Sequence, residues 1–322
     1  LPAGVYPMDL SLPAAVDERS AEHPDGGNLV SMTALVFLDA DVSTGRIANA
    51  ATAQLSVLDQ GVTRGDGIFE SMLYTKGVVR KIDAHLARLR VSASTCDLIL
   101  PHEERWRAAI STAVAAFDAA TPSDEAVVKL VATRGPEGTS EGTCWVMVSA
   151  AAESGRLQRE NGVSVMLLDR GYDSRAAERA PWLLMGAKTL SYAVNMAALR
   201  HAKKQGVDEV IFTSSDGIVL EGPTSTVLLA HRDGDIKRLI TPTLETGILP
   251  GTTQGAIFEA ARAAGWELGY GPLTPEHLMD ADGVWLVSSI RLLAPVNSID
   301  GTTLTLDREL HAELTAMVNN IA

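Results

Sequence analysis

The chain has little cysteine, no surplus of positive charge and no long apolar run, and each absence closes off a class of function. Only two cysteines, Cys96 and Cys144, occur in 322 residues. That is too few for a disulfide framework, so a reducing cytoplasm is the expected setting. No CxxC pair or Cys/His cluster offers metal-ligand spacing, and no metal is expected. Lys and Arg number 27 against 40 Asp and Glu, a net charge of −13. This disfavours nonspecific nucleic-acid binding and leaves no polybasic patch for a membrane surface. No run is long and apolar enough to span a bilayer. What is present is a hydrophobic content of 46%, which marks a well-buried globular protein, and a length that suggests two domains.

Residues 1–32 read as an N-terminal extension rather than a signal peptide, because they lack a basic start and an apolar stretch. Residues 33–154 read as a smaller α/β domain. The expected strands are 34–39, 67–74, 78–82, 126–133 and 143–150. Asp83 is expected to cap a helix carrying Leu86, Leu89 and Ala93 at helical spacing, and 102–120 reads as a longer amphipathic helix. Residues 155–162 are polar, without apolar period, and read as a linker. Residues 163–322 read as a larger domain. Its expected strands are 163–169, 209–213, 219–221, 226–230 and 284–288, and its expected helices 190–205, 253–264, 275–281 and 307–320. Strands and helices alternate, but short turns at 214–217 and 232–234 favour antiparallel pairing. The fold class is therefore α/β with α+β-type mixed sheets, not a doubly wound parallel sheet.

Two segments stand out chemically. Lys188, in Gly186-Ala187-Lys188-Thr189-Leu190-Ser191-Tyr192, is expected at the mouth of a helix. Taken alone, such a lysine is most often a solvated charge. A cation gains nothing at a helix N-terminus, however, and apolar or small flanks suit a partly buried amine of lowered pKa. Glu221 ends the apolar run Gly217–Leu220. A surface turn or an ion pair would explain it as readily as a role in holding a pyridine nitrogen. A lysine able to form a Schiff base and a carboxylate able to hold a pyridinium are the minimum equipment for pyridoxal phosphate chemistry. Thr252 and Thr253, opening a helix after Leu249-Pro250-Gly251, offer N–H groups and hydroxyls to a phosphate, or only an ordinary N-cap. Ser289 follows a strong strand and could add a hydroxyl. Arg88, read on the polar side of its helix, suits planar phosphate recognition or is a solvated charge. Arg64-Gly65-Asp66-Gly67 reads as a tight turn. His85 reads as structural, since no nucleophile motif accompanies it.

In this order the segments resemble the class IV, fold-type IV pyridoxal-phosphate enzymes: branched-chain and D-amino acid aminotransferases and 4-amino-4-deoxychorismate lyases. The matching blocks include Gly65–Glu70, Ala84–Leu89, Lys129–Gly135, the Lys188 block, Glu221-Gly222 and Ile248–Gly251. The resemblance runs from about residue 34 to near the C-terminus. It implies a two-domain fold with pyridoxal 5'-phosphate between the domains, and a homodimer whose partner chain completes the substrate pocket. It implies that Lys188 is the Schiff-base lysine and Glu221 the pyridine-nitrogen partner. Arg88, Thr252, Thr253 and Ser289 fall where the family binds phosphate, and Tyr192 approaches the cofactor's phenolic oxygen. Phe69 stands where D-amino acid members carry tyrosine, and the loop after Arg134 lacks their Arg-x-His carboxylate trap. Arg64 and Arg291, unusual charges beside matched blocks, are candidates for a substrate carboxylate. The expected activity is amino-group transfer between an amino acid and a 2-oxo acid. The alternatives are aminodeoxychorismate lyase activity, giving 4-aminobenzoate and pyruvate, or a non-catalytic small-molecule-binding protein on the same fold. Glu70 after Phe69 favours the aminotransferase.

Overall fold

The computed structural model describes residues 33–39, 41–121 and 123–321. The expected N-terminal extension lies outside the described residues. Two sheets account for the described strands. The first is wholly antiparallel, in the order β2-β1-β6-β5-β3-β4: β1 Ala34–Phe37, β2 Arg46–Asn49, β3 Gly67–Thr75, β4 Val78–Val79, β5 Glu125–Thr133 and β6 Cys144–Ala150. A short helix, α1 (Gln60–Arg64), precedes β3. Helices α2 (Ile82–Thr95) and α3 (Glu103–Ala120) cover one face of this sheet. Their apolar stripes, Leu86, Leu89 and Ala93 on α2 and Trp106, Ile110, Ala113 and Phe117 on α3, bury against Ile68, Met72, Val128 and Leu130. Residues three and four apart on a helix meet residues two apart on a strand, as the two periodicities require.

The period of β3 sets up the site. Ile68, Met72 and Tyr74 point into that core, and Glu70, in the same phase, is fully buried beneath α2. Phe69, Ser71 and Leu73 point the other way. Leu73 packs into the core of the second half, and Phe69 and Ser71 line a cavity between the halves.

The second sheet has eight strands: β7 Val163–Asp169, β8 Glu209–Thr213, β9 Thr226–Asp233, β10 Ile236–Pro242, β11 Glu267–Gly271, β12 Gly283–Ser288, β13 Leu292–Ile299 and β14 Thr302–Thr303. The path runs β11-β10-β9-β12-β13-β7-β8, with β14 beside β13. It is mixed: β7 is parallel to β8 and β13, and β10 to β11, while the remaining pairs are antiparallel. Helices α5 (Ala176–Arg179), α6 (Ala193–Lys204), α7 (Thr252–Ala263), α8 (Pro275–Met279) and α9 (Arg308–Asn319) complete this half. Asp307 caps α9, accepting from the N–H of Glu309 and Leu310 at 2.8 and 3.1 Å, an arrangement worth about 1 kcal/mol.

The strand expected at 78–82 stops at Val79, because Ile82 already opens α2, and the one expected at 219–221 reduces to an isolated bridge between Val219 and Thr213; three further local expectations change. The polar segment 155–162 is not irregular: Glu153–Asn161 forms helix α4. Its polarity reflects a helix that packs on β13 with one side in solvent, where Arg156 bonds Glu153 and Glu160 and Arg159 bonds Glu125. Asp83 lies inside the first turn of α2, and the N-cap is Lys81, in the left-handed region at φ 56°. The third change concerns Lys188. It sits five residues before α6, in an extended segment, with Thr189 bridged to Ile68 of β3.

Candidate active site

The cavity between the halves has a volume of about 630 Å³. Its lysine is fastened to the first sheet by its own main chain. Phe69 N–H donates to Lys188 O at 3.0 Å, and Leu190 N–H to Gly67 O at 2.8 Å. The Lys188 N–H donates to Ser92 Oγ of α2 at 3.0 Å. Gly67 permits this approach, because a Cβ there would come within 2.7 Å of both Leu190 Cδ1 and Ala132 O. The Lys188 side chain enters the cavity over Phe69, with Nζ 4.5 Å from the ring centre and 3.4 Å from the Tyr192 hydroxyl. Phe69 and Tyr192 meet edge to face at 5.1 Å, which fixes both rings.

Burial sets the charge states here. It pulls the Lys188 amine down to about 8, helped by the nearby Arg88 guanidinium. It pushes the Tyr192 phenol up to about 12, so the phenol keeps its proton. Across the cavity, Glu221 follows an extended stretch bonded to β8: Leu220 N–H donates to Phe212 O, and Phe212 N–H to Glu221 O. Burial pushes its carboxyl up to about 7 against one backbone donor, Leu249 N–H at 3.2 Å. A buried amine and a buried carboxyl, each driven toward neutrality, face one space without an ion pair between them.

A second cluster lies at the junction of β3, α2, α7 and the end of β12. Glu70 accepts from Arg88 Nε at 2.7 Å and Nη2 at 2.8 Å, and lies 2.7 Å from His85 Nδ1. Burial presses the Glu70 carboxyl toward neutrality, but the bonds and charge of Arg88, with the His85 contact, outweigh it and hold it at about 2. Burial lowers His85 below its ordinary value despite Glu70. The arginine fork has N–H groups left over, one of its nitrogens donating to Pro250 O at 2.8 Å. Ser289 Oγ is 3.1 Å from Thr252 Oγ1, 3.4 Å from Thr253 Oγ1 and 3.1 Å from His85 Nε2. Helix α7 starts at Thr252 with Gly251 as its N-cap and no side-chain cap. Its first N–H groups are therefore left for an anion. A Cβ at Gly251 would stand 2.5 Å from Thr226 Oγ1, so only glycine lets the turn close here.

Lys188, Tyr192, Glu221, Arg88, Thr252, Thr253, Ser289 and Phe69 thus line one cavity. Arg88 is not on a solvated helix face: its side chain is 10% exposed and paired with Glu70. Arg64 is not among the lining residues. It is exposed and bonds Glu137 at 2.8 Å. Arg291 touches the cavity wall, but its guanidinium is engaged by Glu209 and by Gln158 Oε1 at 2.8 Å. Three contributors, Glu70, His85 and Arg170, were not read as site residues from the sequence, Glu70 having been taken as a family mark and His85 as structural. Glu70 betrays itself only as a charge in the buried phase of an apolar strand, and His85 with Arg88 only as a pair spaced one helical turn apart. Arg170, which donates to Asn195 Oδ1 at 3.0 Å and keeps Nη1 buried without a partner, follows β7 with no local signal. Cys96 and Cys144 are buried free thiols. Among the described residues no group of three His, Cys, Asp or Glu could hold a metal, and no helix is long and apolar enough to cross a membrane.

These residues fit pyridoxal phosphate. The amine is poised to lose its proton, the lone carboxyl across the cavity offers an acceptor, and the hydroxyls, guanidinium and uncapped helix start are donors suited to a phosphate. Comparison with known proteins agrees. The family model for amino-transferase class IV matches residues 67–299. A bifunctional aminodeoxychorismate lyase / D-amino acid transaminase of Mycobacterium tuberculosis is 45% identical over 84% of this chain and 95% of its own length. A structure described as a hypothetical aminotransferase from Mycobacterium tuberculosis, PLP-bound form, superposes with a TM-score of 0.83 at 42% identity, over 89% of this chain and 97% of that one. A fold IV-transaminase from Curtobacterium pusillum gives a TM-score of 0.82 at 38% identity, over 89% and 99%. The chain belongs to the class IV aminotransferase family, enzymes that depend on pyridoxal phosphate.

Proposed function

We propose that this protein moves an amino group between an amino acid and a 2-oxo acid, with Lys188 as the amine that bonds the cofactor and then shuttles the substrate's proton. The observation that carries this reading is the pairing of an amine lowered to about 8 with a carboxyl raised to about 7 in one cavity. When bound, pyridoxal phosphate supplies an electron sink for the pair left at the substrate Cα. The protein does the rest. Lys188, free of a counterion and with its amine lowered to about 8, reaches its neutral form far more readily than an exposed lysine and takes and returns the Cα proton as a positioned base. Glu221 would hold the pyridine nitrogen by accepting its hydrogen bond, and the Tyr192 phenol, which keeps its proton, would donate to the phenolic oxygen. Arg88, Thr252, Thr253, Ser289 and the start of α7 hold the phosphate, so that the reacting end stays opposite Lys188.

Elimination is the second reading. It is favoured by the 45% identical relative, whose name carries both activities. Lys188 and Glu221 would act identically in its first steps. The exposed Trp182 and half-exposed Leu183, at 74% and 50%, support a homodimer, since Leu183 also lines the cavity and a second copy would cover its mouth. The free thiols support work in a reducing cytoplasm. The deciding experiment reads visible absorbance of the cofactor-loaded protein and its loss in Lys188→Ala. It then offers an amino donor with a 2-oxo acid, and separately aminodeoxychorismate. Keto-acid exchange supports transfer, pyruvate with aminobenzoate supports elimination, and the absence of colour and turnover rejects both.

A further inference from the structure

His85 occupies a position that holding α2 against β3 does not explain. Its Nδ1 is 2.7 Å from a Glu70 oxygen. Glu70 is ionised and can only accept, so Nδ1 carries a proton. Nε2 then faces two hydroxyls, Ser289 at 3.1 Å and Thr252 at 3.3 Å. With a neutral imidazole, Nε2 is an acceptor, and one of these hydroxyls must turn its hydrogen toward the ring. With an imidazolium, Nε2–H donates into the cluster, and all three hydroxyl hydrogens are free to point outward. A phosphate dianion has acceptors only, so the second arrangement serves it with one more donor than the first.

We propose that His85 is a positioning residue that takes a proton from solvent onto Nε2 when a phosphate dianion enters the Thr252–Thr253–Ser289 cluster, turning those hydroxyls from the imidazole toward the phosphate. The inference rests on the reading of this cluster as the phosphate site. The charges around the ring support it. Arg88 on the same helix and Lys188 across the cavity disfavour the imidazolium in the empty site, and Glu70 of β3 favours it. Lys81, at the start of α2, adds another cation, its Nζ donating to Thr252 O at 2.9 Å, and with Arg80 it lines a small void shared with His85. An arriving dianion reverses that balance. It gains a full set of donors without a hydroxyl left facing the wrong way, a fault that is costly when buried.

The test uses apo protein carrying 15N-labelled histidine, in phosphate-free buffer above pH 7, where the probe phosphate is a dianion. The chain has 7 histidines, and the His85 signals are those missing in His85→Gln. Saturating pyridoxamine phosphate should convert the Nε2 of His85 from the unprotonated to the protonated signal, and pyridoxamine without the phosphate should not. The preference for pyridoxamine phosphate over pyridoxamine should fall about tenfold per pH unit between the free and bound midpoints of His85. That slope should vanish in His85→Gln. A structural role alone would leave both readouts unmoved. Binding with His85 still neutral, or an unchanged slope in the variant, overturns this proposal and leaves the aminotransferase reading standing. Failure of the folded parent to bind pyridoxamine phosphate at all overturns both. If His85→Gln does not fold, the parent decides alone: one histidine Nε2 becoming protonated with pyridoxamine phosphate but not with pyridoxamine upholds the proposal, and no such histidine overturns it.

Discussion

Lys188 Nζ lies 4.5 Å from the centre of the Phe69 ring, and Lys129 Nζ lies 5.0 Å from the same centre. The ring attracts the ammonium form of Lys188 by about 0.5–2 kcal/mol, against the burial that pulls the amine to about 8. Phe69→Leu removes the attraction and keeps the burial. The pH midpoint for capture of pyridoxal phosphate by the apo protein, which follows the neutral amine, should fall in this variant. A midpoint that stays in place or rises would show that the ring does not act on the amine.

Glu221 makes a prediction about the apo protein. Its folded value is about 7 against an ordinary 4.5. Between these values the folded state keeps a proton that the unfolded chain has released. The associated stability is full below pH 4.5 and is lost as pH rises through 7, about 3 kcal/mol in all. Glu221→Gln cannot ionise. Its apo Tm should match the parent near pH 4.5 and exceed it at pH 8, with the gap narrowing when cofactor is added. Parallel Tm-versus-pH curves for the two proteins would refute this assignment.

Glu70 has the opposite sign. Its carboxyl is held at about 2 by Arg88 and His85, so its contribution is complete above pH 4.5 and disappears as pH falls toward 2. Arg88→Ala leaves that carboxylate buried with half its partners, and should destabilise the protein by about 3–5 kcal/mol at neutral pH. Arg88→Lys keeps the charge but not the fork, and should fall between the two. Denaturant melts at pH 7 and pH 4 rank the three proteins. Equal stability of Arg88→Ala and the parent would count against the pair.

Arg64 and Arg291 can now be separated. The Arg64–Glu137 pair is exposed on both sides, so Arg64→Gln should change stability by less than about 1 kcal/mol. Arg291 and Glu209 are 9% and 4% exposed at the side chain, and burial raises the Glu209 carboxyl even with Arg291 beside it. Arg291→Gln should therefore lower stability by about 3–5 kcal/mol. A rise in substrate KM with unchanged Tm would assign either arginine to the substrate. A fall in Tm with unchanged KM assigns Arg291 to the frame.

The parts of the molecule legible in sequence are those whose signal is local. Strands β7 and β8, the apolar stripe of α2, the Thr252–Thr253 helix start and the C-terminal helix expected over 307–320 each depend on neighbours within a turn or two. Lys188 was legible as a residue and misread as a conformation, because what keeps it extended is hydrogen bonding to Gly67 and Phe69, more than a hundred positions away. Helix α4 was hidden by its own polarity, since its sequence carries exposed ion pairs rather than an apolar stripe. Strands β10, β11 and β13 were not separated from their surroundings, and their pairing is visible only once the sheet is assembled. Glu70 was read as a family mark; its bonds to His85 and Arg88 depend on β3 meeting α2, which no stretch of sequence displays.

The main chain of Lys188 is bonded to β3 and α2, whereas Glu221 is bonded to β8 and Leu249 of the other half. A ligand held by both would therefore bridge the two sheets. A shift of one sheet past the other would change the separation of the amine and the carboxyl, so the fit of anything held by both depends on how firmly the two sheets are docked.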